Sequence, residues 1–259
     1  NNPNDLYWDQ QESHYVFINE GTTGINNVSF WNIGYLDDQT TVMADVLKQL
    51  GISQQDRVLN LLMPGISGAH FIFNLALEKT GVTIIPLGGE SELPVIAHFT
   101  NDLQPTVVIG NPTTLISVLE HLSNNQKFSV ETIIAVGANL SPTHYKFLQK
   151  HSEKVYFPIF FSLETGIIGT QCPSLPVGTF HLVSNVYVEL IDPKSETLTN
   201  SNHGEILVTT LLNRASPCIR YRLGAHISFL EKTCNCDNST PLFKLRGGVN
   251  DAVELGGTD

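Results

Sequence analysis

Cations are scarce in this chain. Lys and Arg total 14 against 25 Asp and Glu, a formal net charge of −11 over 259 residues. Such a surface repels phosphate backbones and anionic headgroups, which argues against nucleic acid and membranes as partners. Long apolar runs are missing too, and a stretch such as 82–87 falls far short of a bilayer span. The opening residues 1–10 are mostly polar and show neither an initiator Met nor a signal-peptide pattern. That leaves open whether a front piece precedes them. Cysteines are few: Cys172, Cys218, Cys234 and Cys236. Cys234 and Cys236 stand too close to favour a disulfide with each other, and nothing points to secretion. A reducing, cytoplasmic setting is expected, where thiols serve metals rather than crosslinks. Internal repeats and low-complexity tracts are absent. With no Gly-x-Ser-x-Gly elbow and no His-Glu-x-x-His pair, a hydrolase triad or zinc protease is unsupported.

What remains is an ordinary globular composition, 41% hydrophobic with a mean hydropathy of +0.01. The length suffices for one large or two modest domains. Short apolar runs predict strands over 57–63, 82–86, 106–109, 132–136 and 154–158. Helical spacing predicts helices over 69–79, 92–100, 113–122 and from Ser141-Pro142 onward, with Gly81 ending the first. This alternation implies βαβ units and a mostly parallel sheet. After Gly178 the helical period vanishes. Strand-like runs at 180–191, 205–210, 226–230 and 242–245 are separated by Gly, Asn, Asp and Pro. The expected fold is therefore α/β, a parallel-rich sheet with flanking helices (1–171) followed by a small antiparallel β subdomain (172–259).

Two constellations carry possible chemistry. In the loop Gly21-Thr22-Thr23-Gly24, backbone N–H groups and two hydroxyls can face a phosphate, although a turn that needs glycine explains the same residues. Farther on come Cys172-Pro173, Gly178-Thr179-Phe180-His181 and Cys234-Asn235-Cys236. Three thiols and an imidazole match a closed, structural zinc site. The spacing is not that of a standard finger, so buried free thiols remain the alternative. Cys218, in the apolar setting Pro217-Cys218-Ile219, reads as core. His70, at a predicted helix start, is either a pocket residue or a cap.

The glycine loop and four later stretches resemble the adenylate-forming acid–CoA ligases, especially the phenylacetate–CoA ligase branch, in the family's order along nearly the whole chain. The family loop Ser-Ser-Gly-Thr-Thr-Gly-Lys-Pro is matched by Asn19-Glu20-Gly21-Thr22-Thr23-Gly24-Ile25-Asn26. Gly137-Ala138-Asn139-Leu140 is similar to the nucleotide-lining Gly-Gly-Glu-Pro. Phe160-Phe161-Ser162-Leu163-Glu164 is similar to Tyr-Gly-x-Thr-Glu. Arg220-Tyr221-Arg222-Leu223-Gly224-Ala225 resembles Arg-Tyr-x-Thr-Gly-Asp, and 245–251 resembles the hinge Gly-Arg-x-x-Asp, ending in Asp251.

The resemblance implies ATP-dependent activation of a small acyl or aryl carboxylate as its adenylate, followed by transfer to CoA or a carrier thiol. Glu164 would hold Mg²⁺, Thr22 and Thr23 would touch phosphate, and Gly21, Gly24, Gly137, Phe160, Phe161, Tyr221 and Asp251 would line the nucleotide site. The branch also shows a similar Cys-Pro, Gly-x-His and Cys-x-Cys pattern, which strengthens the zinc reading of Cys172, His181, Cys234 and Cys236. Several family residues are replaced. The loop Lys is Ile25, the second loop Ser is Glu20, the ribose-gripping Asp is Ala225, and the hinge Arg is Gly248. A carboxylate at Glu20 repels a triphosphate by on the order of a kcal/mol even in a wet site. The family's C-terminal domain, with its lysine, is expected to be absent. Beside Ala225, His226 could replace a ribose contact or serve as an acid–base group. The expectation is a degenerate, repurposed ligase relative in biosynthesis with structural zinc and doubtful ATP/Mg use. The alternative is an active or split ligase. A protein partner or homo-oligomer stays open in both.

Overall fold

A computed structural model describes residues 14–20, 26–89, 91–125, 130–137, 140–231 and 234–248. The chain opens with a hairpin, β1 (His14–Glu20) against β2 (Asn26–Asn32), in a register that runs from His14↔Asn32 to Glu20↔Asn26. Helix α1 (Ile33–Gln49) follows at once. It starts where the Asn32 side chain accepts from the Tyr35 N–H at 2.8 Å, which satisfies one orphan amide of the first turn.

Strands and helices then alternate: β3 (Arg57–Asn60), α2 (Ala69–Glu78), β4 (Thr83–Ile85), α3 (Leu93–Leu103), β5 (Val107–Gly110), α4 (Pro112–Asn125), β6 (Thr132–Ala135), α5 (Pro142–Leu148) and β7 (Lys154–Tyr156). The five strands form a parallel sheet in the order β4-β3-β5-β6-β7. Its central strands are apolar on both faces. Val108, Ile133 and Ala135 point into one cluster, while Val107, Ile109 and Ile134 point into the other. That is why these strands read as continuous apolar runs. The start of α5 follows its sequence signal, with Ser141 Oγ accepting from the His144 N–H at 3.1 Å and Pro142 in the first turn.

The remainder is β8 (Ile159–Ser162), β9 (Gly166–Thr170), β10 (Thr179–Leu182), β11 (Val186–Asp192), β12 (Thr197–Leu198), β13 (His203–Thr210), β14 (Tyr221–Leu230) and β15 (Leu242–Gly248). These make an eight-stranded antiparallel sheet in the order β12-β11-β13-β14-β15-β10-β9-β8. Phe180 and Phe243, both fully buried, stack at 5.5 Å at its centre. They share one cluster with Leu119, Ile133 and Ile227, so apolar packing welds the two sheets together. A second cluster buries Trp31, Met43, Leu47 and Phe73 between the hairpin, α1 and α2.

The structure departs from the sequence expectation at several elements. The run 180–191 is two strands, β10 and β11, separated by a short connection. β14 begins at Tyr221 rather than residue 226, and its register shifts between His226 and Ile227. Cys218 is not in an apolar strand or the core. It is half-buried in an irregular segment whose neighbour Ile219 is 79% exposed. No described helix is long and apolar enough to cross a membrane.

Candidate functional site

The hairpin, the β8–β9 turn and the start of β14 meet around one carboxylate. Glu164 sits in the turn between β8 and β9 and is 6% exposed. The turn closes on itself, the Thr165 N–H donating to Ser162 Oγ at 3.2 Å. Gly166 then takes a left-handed backbone, φ 73°, and a Cβ there would lie 2.1 Å from Tyr35 Oη. Side chains from β2 and α1 grip the turn. Trp31 Nε1 donates to the Leu163 carbonyl at 2.8 Å, Tyr35 Oη to the Thr165 carbonyl at 3.1 Å, and Gln39 Oε1 accepts from the Ile167 N–H at 2.8 Å. Buried polar partners of this kind fix geometry because leaving any of them unpaired costs roughly 1–3 kcal/mol.

Held in this way, Glu164 Oε1 accepts from Asn27 Nδ2 at 3.1 Å, and the same Nδ2 donates to Tyr221 Oη at 3.1 Å. Cys218 Sγ donates to the Glu164 carbonyl at 3.3 Å. The charge of Glu164 is felt by its neighbours. Burial first, then the carboxylate, pushes the Tyr221 phenol up to about 12. The same two causes push the Cys218 thiol up to about 11. Burial, followed by Cys218 and Asp38, also raises Tyr35. The carboxylate is thus ringed by neutral hydrogen-bonding groups, and it can accept a proton or hold a cation.

Asn27 is the second residue after the segment 21–25, which joins β1 to β2. Gly21, Thr22, Thr23 and Gly24 lie outside the described residues, as does Asp251. Gly137 is described, exposed and at φ 93° after β6. The half-buried Phe160 ring lies 5.9 Å from both Phe180 and Phe243, and Phe161 lies 6.4 Å from Phe73. Glu164 and Tyr221 therefore come together. His226 lines a separate cleft of about 470 Å³ with His203, Ser228 and Arg246. Its neighbour Ala225 is 9% exposed and packs in the apolar cluster that holds Ile227 and Phe243. His70 is half-buried, its Nδ1 2.9 Å from the Leu62 carbonyl oxygen. Asn27 is not legible in the sequence, because an Asn in a strand carries no signal of its own. Its role exists only through Glu164, 137 residues away.

A second site lies at the edge of the antiparallel sheet. The donor atoms of Cys172, His181, Cys234 and Cys236 all fall within 4.8 Å of one another. Cys172 Sγ is 3.4 Å from Cys234 Sγ, and Cys236 Sγ is 3.2 Å from His181 Nε2. Cys172 follows β9, His181 is on β10, and Cys234 and Cys236 lie in the connection from β14 to β15. Around a tetrahedral zinc with ligands at 2.0–2.3 Å, donors stand roughly 3.5–3.8 Å apart. The two short contacts would open slightly around such an ion, and the remaining donor pairs, all within 4.8 Å, lie close enough to share it. Burial, then the thiols of its neighbours, pushes Cys172 up to about 11. At Cys234 burial works upward, but hydrogen bonds from the Cys236 backbone and from the Cys236 and Cys172 thiols pull it below its ordinary value. Burial lowers His181, which keeps the imidazole in the neutral form a metal needs, against a smaller opposing effect of the Thr240 backbone. The four residues form a Cys/His cluster that can bind a metal.

No protein-family model matches the chain. Among curated proteins it is 26% identical over 256 residues to a phenylacetate-coenzyme A ligase of Aromatoleum evansii, covering 94% of this chain and 56% of that protein. It is 26% identical over 220 residues to the phenylacetate-coenzyme A ligase of Escherichia coli (strain K12), covering 80% and 49%. The chain spans about half the length of the curated relatives it matches. Among solved structures, an open conformation of 2-hydroxyisobutyryl-CoA ligase in complex with 2-HIB-AMP and CoA superposes with a TM-score of 0.82. It is 14% identical over 97% of this chain and 61% of that one, and so shares its fold.

Proposed function

We propose that this chain, phenylacetate–CoA ligase-like and built on the fold of the adenylate-forming acyl-CoA ligase superfamily, is a degenerate relative impaired in ATP-dependent carboxylate activation. Its pocket would bind or transform a small acyl or aryl carboxylate in biosynthesis. The observation that carries this reading is Ala225. Where the resemblance calls for an Asp gripping the ribose, a methyl group packs against Ile227 and Phe243 at 9% exposure. Two charge-assisted hydrogen bonds are forfeited at roughly 1.5–3 kcal/mol each, which lowers nucleotide affinity by about two to four orders of magnitude. Ile25 in the place of the loop Lys removes a further phosphate contact.

In the same reading, Cys172, His181, Cys234 and Cys236 hold a structural Zn²⁺. With four protein donors no coordination position is left for substrate, so the ion would brace the sheet edge rather than act on a ligand. Glu164 is the residue that would hold Mg²⁺ if nucleotide is bound, while His226 lines a separate cleft.

One observation favours the alternative of an active ligase, complete with other segments or split between chains. Glu164 is buried and accepts from Asn27, which follows the glycine-rich segment 21–25 by two residues in sequence, and this supports a carboxylate serving the same site as that segment. Calorimetric titration of ATP and an AMP analogue with Mg²⁺, on protein of measured metal content, separates the two. The degenerate reading expects no binding up to millimolar nucleotide, with heat instead from small aryl or acyl carboxylates. Micromolar nucleotide binding would overturn it and establish the alternative.

A further inference from the structure

A cleft of about 700 Å³ opens between α1 and the antiparallel sheet, and it holds neither Glu164 nor the Cys172, His181, Cys234 and Cys236 cluster, although Gln39 and Thr240 border both it and those sites. Its helical wall carries Asp38 and Asp45, both exposed, and no cation among the described residues pairs with either. Asp37, by contrast, is neutralised by Lys79. The opposite wall includes Asn185 and, from the connection that bears Cys234 and Cys236, Thr240.

Three residues lining this cleft leave a buried polar atom without a partner: Gln39 Nε2, Asn185 Oδ1 and Thr240 Oγ1. Gln39 is 0% exposed, and its other amide atom is committed to Ile167, so Nε2 is a fixed, unused donor. An orphan of this kind costs roughly 1–3 kcal/mol, and three in one cleft point to an occupant that supplies both acceptors and donors. Since water does not reach these atoms, the occupant must displace rim side chains to bond them.

We propose that this cleft binds an extended basic peptide segment of a protein partner. Asp38 and Asp45 are seven residues apart on one helix, about 10 Å along its axis. An extended peptide in the polyproline-II conformation advances about 3.1 Å per residue and repeats every three residues, so two cationic side chains three residues apart lie on one face, about 9 Å apart, and reach both carboxylates. Between them the peptide's carbonyl and amide groups meet the donor of Gln39 and the acceptor of Asn185. A bare polyamine would satisfy the carboxylates but has no acceptor for Gln39. The net charge of −11 draws a basic segment to this surface.

The test is calorimetric titration at low salt with three probes: the end-blocked peptide Lys-Ala-Ala-Lys, its Glu-Ala-Ala-Glu counterpart, and spermidine. The Lys peptide is expected to bind, to weaken as salt is raised, and to lose about tenfold in affinity in the exposed double variant Asp38→Asn/Asp45→Asn. Asn185→Ala is expected to weaken the peptide several-fold and to leave spermidine unchanged. Equal binding of the Glu peptide, or an unaltered affinity in a double variant that melts like the parent, would overturn the proposal. Spermidine binding as tightly as the Lys peptide would show a cleft that reads charge alone, and would overturn the peptide assignment.

Discussion

Removing metal from the Cys172, His181, Cys234 and Cys236 cluster should loosen one whole edge of the antiparallel sheet. A bound ion would tie Cys172, at the end of β9, to Cys234, 62 residues later. Treated as a crosslink, closing a loop of that length takes about 4 kcal/mol of entropy from the unfolded chain. This is a ceiling, because β10 already pairs with β9 and β15 through His181↔Thr170 and His181↔Leu242. At roughly 2–4 °C per kcal/mol for a chain of this size, the midpoint should fall by up to about 15 °C. Differential scanning calorimetry of metal-loaded and chelated protein reads the shift directly, with metal content measured on each. Cys234→Ala, at a half-buried position where little packing is lost, should reproduce the chelated midpoint and gain nothing from added Zn²⁺. Binding should also release protons near neutral pH, since Cys172 sits at about 11 without metal. Equal midpoints for loaded and stripped protein, or a cluster that takes up no Zn²⁺, would refute the reasoning.

Gly166→Ala should destabilise by roughly 2–5 kcal/mol in denaturant melts, combining a left-handed backbone with a clash against Tyr35 Oη at 2.1 Å; an unchanged midpoint would mean that the Glu164 turn is not clamped. Phe243→Ala should cost about 3–5 kcal/mol, because a fully buried ring stacked on Phe180 is lost. Tyr221 is favoured in its neutral form by the fold, so its contribution is present below the ordinary phenol range and is lost as pH rises through about 12. Tyr221→Phe should remove that alkaline loss and delete a late-ionising group from the tyrosinate titration. Glu164→Gln removes the negative charge that helps raise Tyr221 and Cys218, so both should ionise earlier and Cys218 should alkylate faster at mildly alkaline pH. An unchanged alkylation rate would place the charge elsewhere.

Helix α1 shows where sequence patterns lose their hold. Its buried face includes Gln39 and Thr40 beside Tyr35, Leu36, Met43 and Leu47, so the apolar stripe is broken by polar residues. Those residues are tolerated inside because Gln39 bonds the Ile167 N–H, 128 positions on, and Thr40 bonds the Leu36 carbonyl one turn back. The sequence pattern marks β14 only from residue 226, because Gly224, at φ 74°, interrupts the alternation that a strand requires. By contrast, β3 through β7 and the helices between them follow local signals, and α5 begins at the Ser141-Pro142 pair that marks it.

The sequence by itself determined what depends on neighbours along the chain: parallel strands spaced by helices, an antiparallel remainder, and a set of three thiols and one imidazole suited to a metal. Hydrophobic period, caps and ligand chemistry are local properties, so they survive in a one-dimensional text. Only the tertiary structure decided which groups touch. Asn27, Glu164 and Tyr221 lie 137 and 194 residues apart by the two bonds that join them, and His181 meets Cys236 across 55. Such closures arise from packing two sheets and a hairpin around shared apolar clusters, a balance of burial against chain entropy that no short window of residues encodes.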